Sequence, residues 1–185
     1  IVNIPCPTFE LEPCERILFV GSCFADNIGK RFEEEKFRAM VNPFGVMYNP
    51  VSVLHTVKKV ANHTFDTAVF TLGTNHVYVE RATGEIVDNC QKRPQREFKE
   101  RELTVEECAE ALREAITLLR QANPKVKVII TISPIRYAKY GYHGSQLSKA
   151  VLLLAADKLE KEEGETVYYF PAYEIVNDEL RDYRF

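Results

Sequence analysis

Gly21, Ser22 and Cys23 place a hydroxyl and a thiol side by side. They follow a short apolar run, Arg16 to Val20, and precede a segment in which Phe24, Ile28 and Phe32 fall four apart. The run has the form of a buried parallel strand and the spacing that of an amphipathic helix, so the pair is expected at a strand-to-helix turn. The unpaired N–H groups and partial positive charge of a helix N-terminus stabilise thiolates and oxyanions alike. Either side chain could therefore attack an acyl carbon. The plainer alternative makes Ser22 a helix cap and Cys23 a small buried residue. The spacing argues against a phosphate-binding loop: seven residues separate Gly21 from Gly29, and neither Ser nor Thr follows Lys30.

The elements that must hold this turn are legible in outline. Phe37 to Val41 reads as a second strand, followed by the loop Asn42-Pro43-Phe44-Gly45. Asn49 can cap a helix with Pro50 at its first position, reaching about Ala61. Thr67 to Leu72 is the next strand, ending at Gly73-Thr74-Asn75, and the alternation of Val77 and Val79 with Ile86 and Val87 around Ala82-Thr83-Gly84 predicts a hairpin. Thr104 and Glu107 have capping-box spacing ahead of a helix carrying Ala109, Leu112, Ile116 and Leu119. Val126 to Ile132 is a further buried strand, Ser145 can cap a helix with Leu147, Val151 and Leu154 on one face, and Val167 to Phe170 supplies a last strand. Strands alternating with helices imply a parallel sheet with helices on both faces. Ligands of such sheets bind beyond the carboxyl ends of the strands, here the loops after Val20, Val41, Leu72 and Ile132.

Bulk properties narrow the function classes. The length of 185 residues suits one domain, and no apolar run approaches the roughly 18 residues of a membrane span. A net charge of −3 offers no footprint for nucleic acid or an anionic membrane. Five cysteines without a C-x-x-C pair suggest reduced thiols rather than a disulfide framework or zinc site, which leans towards the cytoplasm; Ile1 gives no leader to read. Lys92 to Arg101, with five basic and two acidic residues, reads as a solvated connection.

Ile17-Leu18-Phe19-Val20-Gly21-Ser22-Cys23-Phe24-Ala25 resembles the signature of the GSCFA family. So do Asn42-Pro43-Phe44-Gly45-Val46 with Tyr48-Asn49-Pro50, then Thr71-Leu72-Gly73-Thr74, Ser133-Pro134-Ile135-Arg136, Gln146-Leu147-Ser148-Lys149-Ala150 and Tyr169-Phe170-Pro171-Ala172-Tyr173-Glu174, in the family's order. That family resembles the SGNH, or GDSL, hydrolases, which implies a three-layer flavodoxin-like α/β fold and ester cleavage. The superfamily's Gly-Asp-Ser falls on Gly21-Ser22-Cys23, so its nucleophilic serine coincides with Cys23, with Ser22 one residue earlier. Its oxyanion-hole glycine most nearly matches Gly45, and its Gly-x-Asn falls on Gly73-Thr74-Asn75, making Asn75 an oxyanion donor. Its Asp-x-x-His block, source of the base, has no counterpart here and is expected beyond Phe185. Family members also usually carry a longer stretch between Val60 and Thr67.

The resemblance thus implies a single domain acting as a hydrolase or acyltransferase on a small-molecule or carbohydrate ester, with no metal or redox cofactor. The alternative is a non-catalytic module that binds an acylated sugar in the same pocket. As substitute bases, His76 and His143 lie nearer the expected site than His55 and His63, and Arg136 could meet an anionic substrate group or form a surface ion pair.

Overall fold

The computed structural model describes residues 2–180. Five strands form one parallel sheet: β1 (Arg16–Gly21), β2 (Arg38–Val41), β3 (Thr67–Leu72), and, later in the chain, β7 (Lys127–Ile132) and β8 (Val167–Phe170), in the order β2-β1-β3-β7-β8. Counting only these strands, the order is 2-1-3-4-5, that of the flavodoxin-like folds, whose ligand crevice opens between the first and third strands where the chain reverses direction across the sheet. Gly21 stands opposite Thr71 at that point.

Helices cover both faces because successive residues of each strand point opposite ways. On one face, Ile17, Phe19 and Val69 receive α1 (Cys23–Glu34), with Phe32 packed at 5.1 Å from the Phe19 ring. Gly29 permits this approach, since a Cβ there would lie 2.5 Å from a Val41 methyl. The larger core lies on the other face, where Leu18, Val20, Phe70, Leu72, Val128 and Ile130 meet α2 (Pro50–Val60), α3 (Val105–Ala122) and α4 (Gly141–Glu163). Burying each such large apolar side chain stabilises the fold by roughly 1.5–3 kcal/mol.

The local signals hold at several ends. Asn49 accepts from the Ser52 N–H at 2.9 Å with Pro50 in the first turn, and Thr104 and Glu107 form the reciprocal capping box.

Two expectations are corrected. The connection Lys92 to Arg101 contains most of β6 (Phe98–Glu102), which pairs with β4 (His76–Glu80); the expected hairpin of β4 and β5 (Ile86–Val87) is present, and β6 extends it to an antiparallel sheet, β5-β4-β6. Charges at Lys99, Glu100 and Arg101 hide a strand whose only buried residue is Phe98. The second correction concerns α4. It starts at Gly141, Ser145 does not cap it, and Leu147 and Leu154 are exposed. Its inward stripe is Ser145, Ser148, Lys149, Leu152, Ala155, Ala156 and Leu159. The first three are polar, and they pack against the carboxyl ends of β3 and β7 through hydrogen bonds that hydrophobic periodicity does not register.

Among the described residues, no helix is long and apolar enough to cross a membrane.

Candidate active site

β1 ends in a conformation that only glycine accommodates here: Gly21 has φ +152°, and a Cβ would lie 2.2 Å from the Thr71 carbonyl oxygen. That close approach lets the Ser22 N–H donate to the Thr71 carbonyl at 3.0 Å. Ser22 then caps α1, accepting from the Phe24 N–H at 3.3 Å, with its hydroxyl 3.3 Å from that of Thr71. It is fully buried. Cys23 is half-buried at the first residue of α1, where the N–H groups have no partner within the helix. The turn therefore treats the two neighbours differently, anchoring the hydroxyl and leaving the thiol at the helix end.

Loops from three other strands close on this turn. Asn42, after β2, accepts from the Gly21 N–H at 2.8 Å and donates to Asp26 at 2.6 Å. Asn suits that position, since φ is +37° there. The Met47 N–H donates to the Gly21 carbonyl, and the Tyr48 carbonyl accepts from both Gly73 and Thr74, tying the β2 loop to the turn after β3. After β7, the Tyr137 ring packs edge-on against Tyr48 at 6.2 Å, and its hydroxyl oxygen lies 2.3 Å from where a Cβ of Gly73 would be. Burial first, then Tyr48 and Cys23, push the Tyr137 phenol well above its usual acidity range, so it keeps its proton.

Beneath these loops Lys149 is almost wholly enclosed. Its ammonium donates to the carbonyls of Gly73 at 2.6 Å and Ser133 at 2.7 Å and lies 5.2 Å from the Tyr137 ring centre. Desolvation pushes its pKa down to about 7. The Gln146–Ala150 motif contains this lysine, but only the packed helix shows where it reaches.

The other expected site residues are placed as follows. Gly45, at φ +88°, lies exposed at the tip of the β2 loop, with nothing within 4 Å of where a Cβ would stand. It borders an open cleft of about 650 Å³ whose far wall includes Lys59, Asp88 and Arg93. Asn75 is 2 % exposed; its amide nitrogen donates to the Leu103 carbonyl at 2.8 Å and its backbone N–H to Ser148 at 3.0 Å, while its side-chain oxygen is buried without a partner. Both nitrogens of His76 face carboxylates, Glu100 and Glu102 at 3.5 Å each, and Tyr140 stacks on the ring at 3.7 Å. Burial outweighs those carboxylates and lowers its pKa. His55 is bound to Asp88 at 2.7 Å, His63 to Asn62, and His143 is exposed on the first turn of α4. Arg136 reaches Asn177 at 3.5 Å and the Tyr142 ring, and lines a smaller cleft of about 340 Å³ together with Tyr137 and Tyr142. Among the described residues, no group of three His, Cys, Asp or Glu side chains could hold a metal ion.

The GSCFA family model matches residues 16–68 and 61–185, nearly the whole chain. The chain belongs to the GSCFA family. No curated protein matches it. Among solved structures it is similar to a family two carbohydrate esterase from Clostridium thermocellum in complex with cellohexaose, at 10 % identity and a TM-score of 0.49, covering 87 % of this chain and 55 % of that one. An active-site mutant of such an esterase from the same organism gives 12 % identity, a TM-score of 0.49 and coverage of 87 % and 54 %. An acetyl xylan esterase from the rumen bacterium Butyrivibrio proteoclasticus gives 20 % identity, a TM-score of 0.33 and coverage of 60 % and 29 %. The chain thus spans about half the length of the two Clostridium structures. Within this GSCFA chain the family-like segments are joined in space: Lys149 bridges Gly73 and Ser133, and the Tyr173 hydroxyl donates to Gln146.

Proposed function

We propose that the chain acts as an esterase-like hydrolase or acyltransferase with Cys23 as the attacking group. The observation that supports this most is the division between neighbours: the Ser22 hydroxyl is buried and held as a helix cap beside Thr71, whereas Cys23 stands half-buried at the helix end in the β1/β3 crevice. In this reading the Cys23 thiolate adds to the acyl carbon, a C–S bond forms, and the carbonyl π pair moves onto oxygen. With the Phe24 and Ala25 N–H groups donating to Ser22, the Cys23 N–H at the start of α1 meets that oxyanion. As the pair returns, the C–O bond to the alcohol breaks and the alkoxide takes a proton. Water or an acceptor hydroxyl then removes the acyl group from the thioester, giving hydrolysis or transfer. The base in this reading is the histidine that the resemblance to SGNH hydrolases implies, from an Asp-x-x-His motif not found in residues 1–185.

Gly45 and Asn75 enter as supports: Gly45 shapes the lip of the loop, and Asn75 fixes the turn that carries Gly73. An acylated carbohydrate is the proposed substrate class, since Phe44, Tyr48 and Tyr142 expose aromatic faces on which a sugar ring can lie. The second reading, a binding module on the same pocket, draws support from the histidines, three of which are bonded or paired elsewhere.

Full-length protein assayed on a chromogenic acetate ester tests both. Cys23→Ala should remove activity while Ser22→Ala retains a good part of it. The opposite ranking transfers the attack to Ser22, and full activity in both variants eliminates the covalent mechanism.

A further inference from the structure

An oxyanion hole can add a side-chain donor to its backbone N–H groups, and the residue that the resemblance offers for that role has its amide engaged elsewhere. Asn75 lies 2 % exposed with its amide bound to the Leu103 carbonyl. Tyr137 is placed where such a donor belongs. Gly21 and Thr71 are register partners, so the turns that carry Cys23 and Gly73 leave the sheet side by side. The Tyr137 hydroxyl rests on Gly73, in the space a Cβ would fill. Among the described residues that hydroxyl makes no hydrogen bond, and its retained proton makes it a donor rather than a base.

The ring is fixed on several sides. Tyr48 packs edge-on against it, the Tyr137 N–H donates to the Ser145 hydroxyl at 3.3 Å, and the Lys149 ammonium lies over the ring while holding Gly73 and Ser133.

We propose that the Tyr137 hydroxyl donates to the oxyanion formed when Cys23 attacks, and that Lys149 is the residue that positions it over Gly73. This rests on Cys23 being the attacking group. It also accounts for the glycine after β3, because any side chain there would displace the hydroxyl.

An aryl trifluoromethyl ketone tests the proposal without needing a base or a leaving group: the thiolate adds to its carbonyl carbon, a C–S bond forms, and the π pair becomes an oxyanion seen by fluorine NMR. In the full-length protein, Tyr137→Phe should weaken this adduct about a hundredfold, the low end of what loss of one oxyanion donor removes, and lower kcat on an ester at nearly constant KM. Lys149→Met should weaken it less, and should add little to Tyr137→Phe in the double variant, because the lysine acts through the tyrosine. Equal adduct affinity in wild type and Tyr137→Phe overturns the donor role and leaves Cys23 standing. Additive losses overturn the positioning role of Lys149. Absence of a wild-type adduct on Cys23 removes the attacking group, and this inference with it. If Tyr137→Phe fails to fold, 3-fluorotyrosine at 137 keeps the shape with a more acidic phenol and should tighten the adduct; an unchanged affinity there refutes the donor role.

Discussion

Lys149 gives the fold an unusual dependence on pH. Its ammonium is enclosed and hydrogen-bonded to two backbone carbonyls, and burial lowers its pKa from 10.5 to about 7. Between those values the unfolded chain holds a proton that the folded chain does not, so stability rises with pH across this window. At about 1.4 kcal/mol per unit, a shift from 10.5 to about 7 amounts to about 5 kcal/mol, fully felt below pH 7, where both states are charged and the folded one is desolvated. A neutral amine keeps two N–H donors, enough for Gly73 and Ser133, so both bonds survive deprotonation. Lys149→Met abolishes the titration and strands both carbonyls, each at about 1–3 kcal/mol independent of pH. Urea-unfolding free energies of wild type and Lys149→Met, compared at steps from below pH 7 to about pH 10, should therefore diverge, with wild type gaining on the variant as pH rises. Other titrating groups are common to both proteins and largely cancel. A difference that stays constant across the window would refute the reasoning.

Gly21→Ala should lower stability by about 3 kcal/mol or more, because the new Cβ meets the Thr71 carbonyl at 2.2 Å, a backbone atom that cannot swing away; an unchanged urea midpoint would contradict this. Iodoacetamide at neutral pH should label Cys23 ahead of Cys90, raised by burial, and of Cys108, fully buried and pushed up to about 12; peptide mass spectrometry showing Cys108 labelled as fast as Cys23 would count against the site geometry. Asn42→Asp puts a second carboxylate where an amide now donates to Asp26 at 2.6 Å, and should cost about 1–3 kcal/mol at neutral pH. Like charge raises the pair's folded pKa values, so that loss should shrink as acidification protonates them; a deficit unchanged down to acid pH would rule out repulsion as its cause.

What the sequence determined is what a few consecutive residues decide together. The caps at Ser22, Asn49 and Thr104 and the strand Thr67–Leu72 satisfy local backbone groups or follow a short period, and the parallel α/β order comes from their succession. The family signature likewise marked the turns that meet at the sheet edge. Tertiary structure decided the rest. β6 exists because Phe98 is buried and its backbone pairs with β4, although its own residues read as a charged connector. The inward face of α4 is polar near its start because Ser145, Ser148 and Lys149 find backbone partners on distant turns, Lys149 bonding a carbonyl 76 positions away. Gly73 is required by the Tyr137 hydroxyl, and no spacing rule connects the two. The same holds for the candidate nucleophile: adjacent hydroxyl and thiol are equivalent on paper, and Thr71, 49 residues on, separates them by burying Ser22 in its hydrogen bonds. Periodicity reports which side of an element is apolar, whereas the partner of a polar group is fixed only when the sheet brings remote strand ends within hydrogen-bond reach.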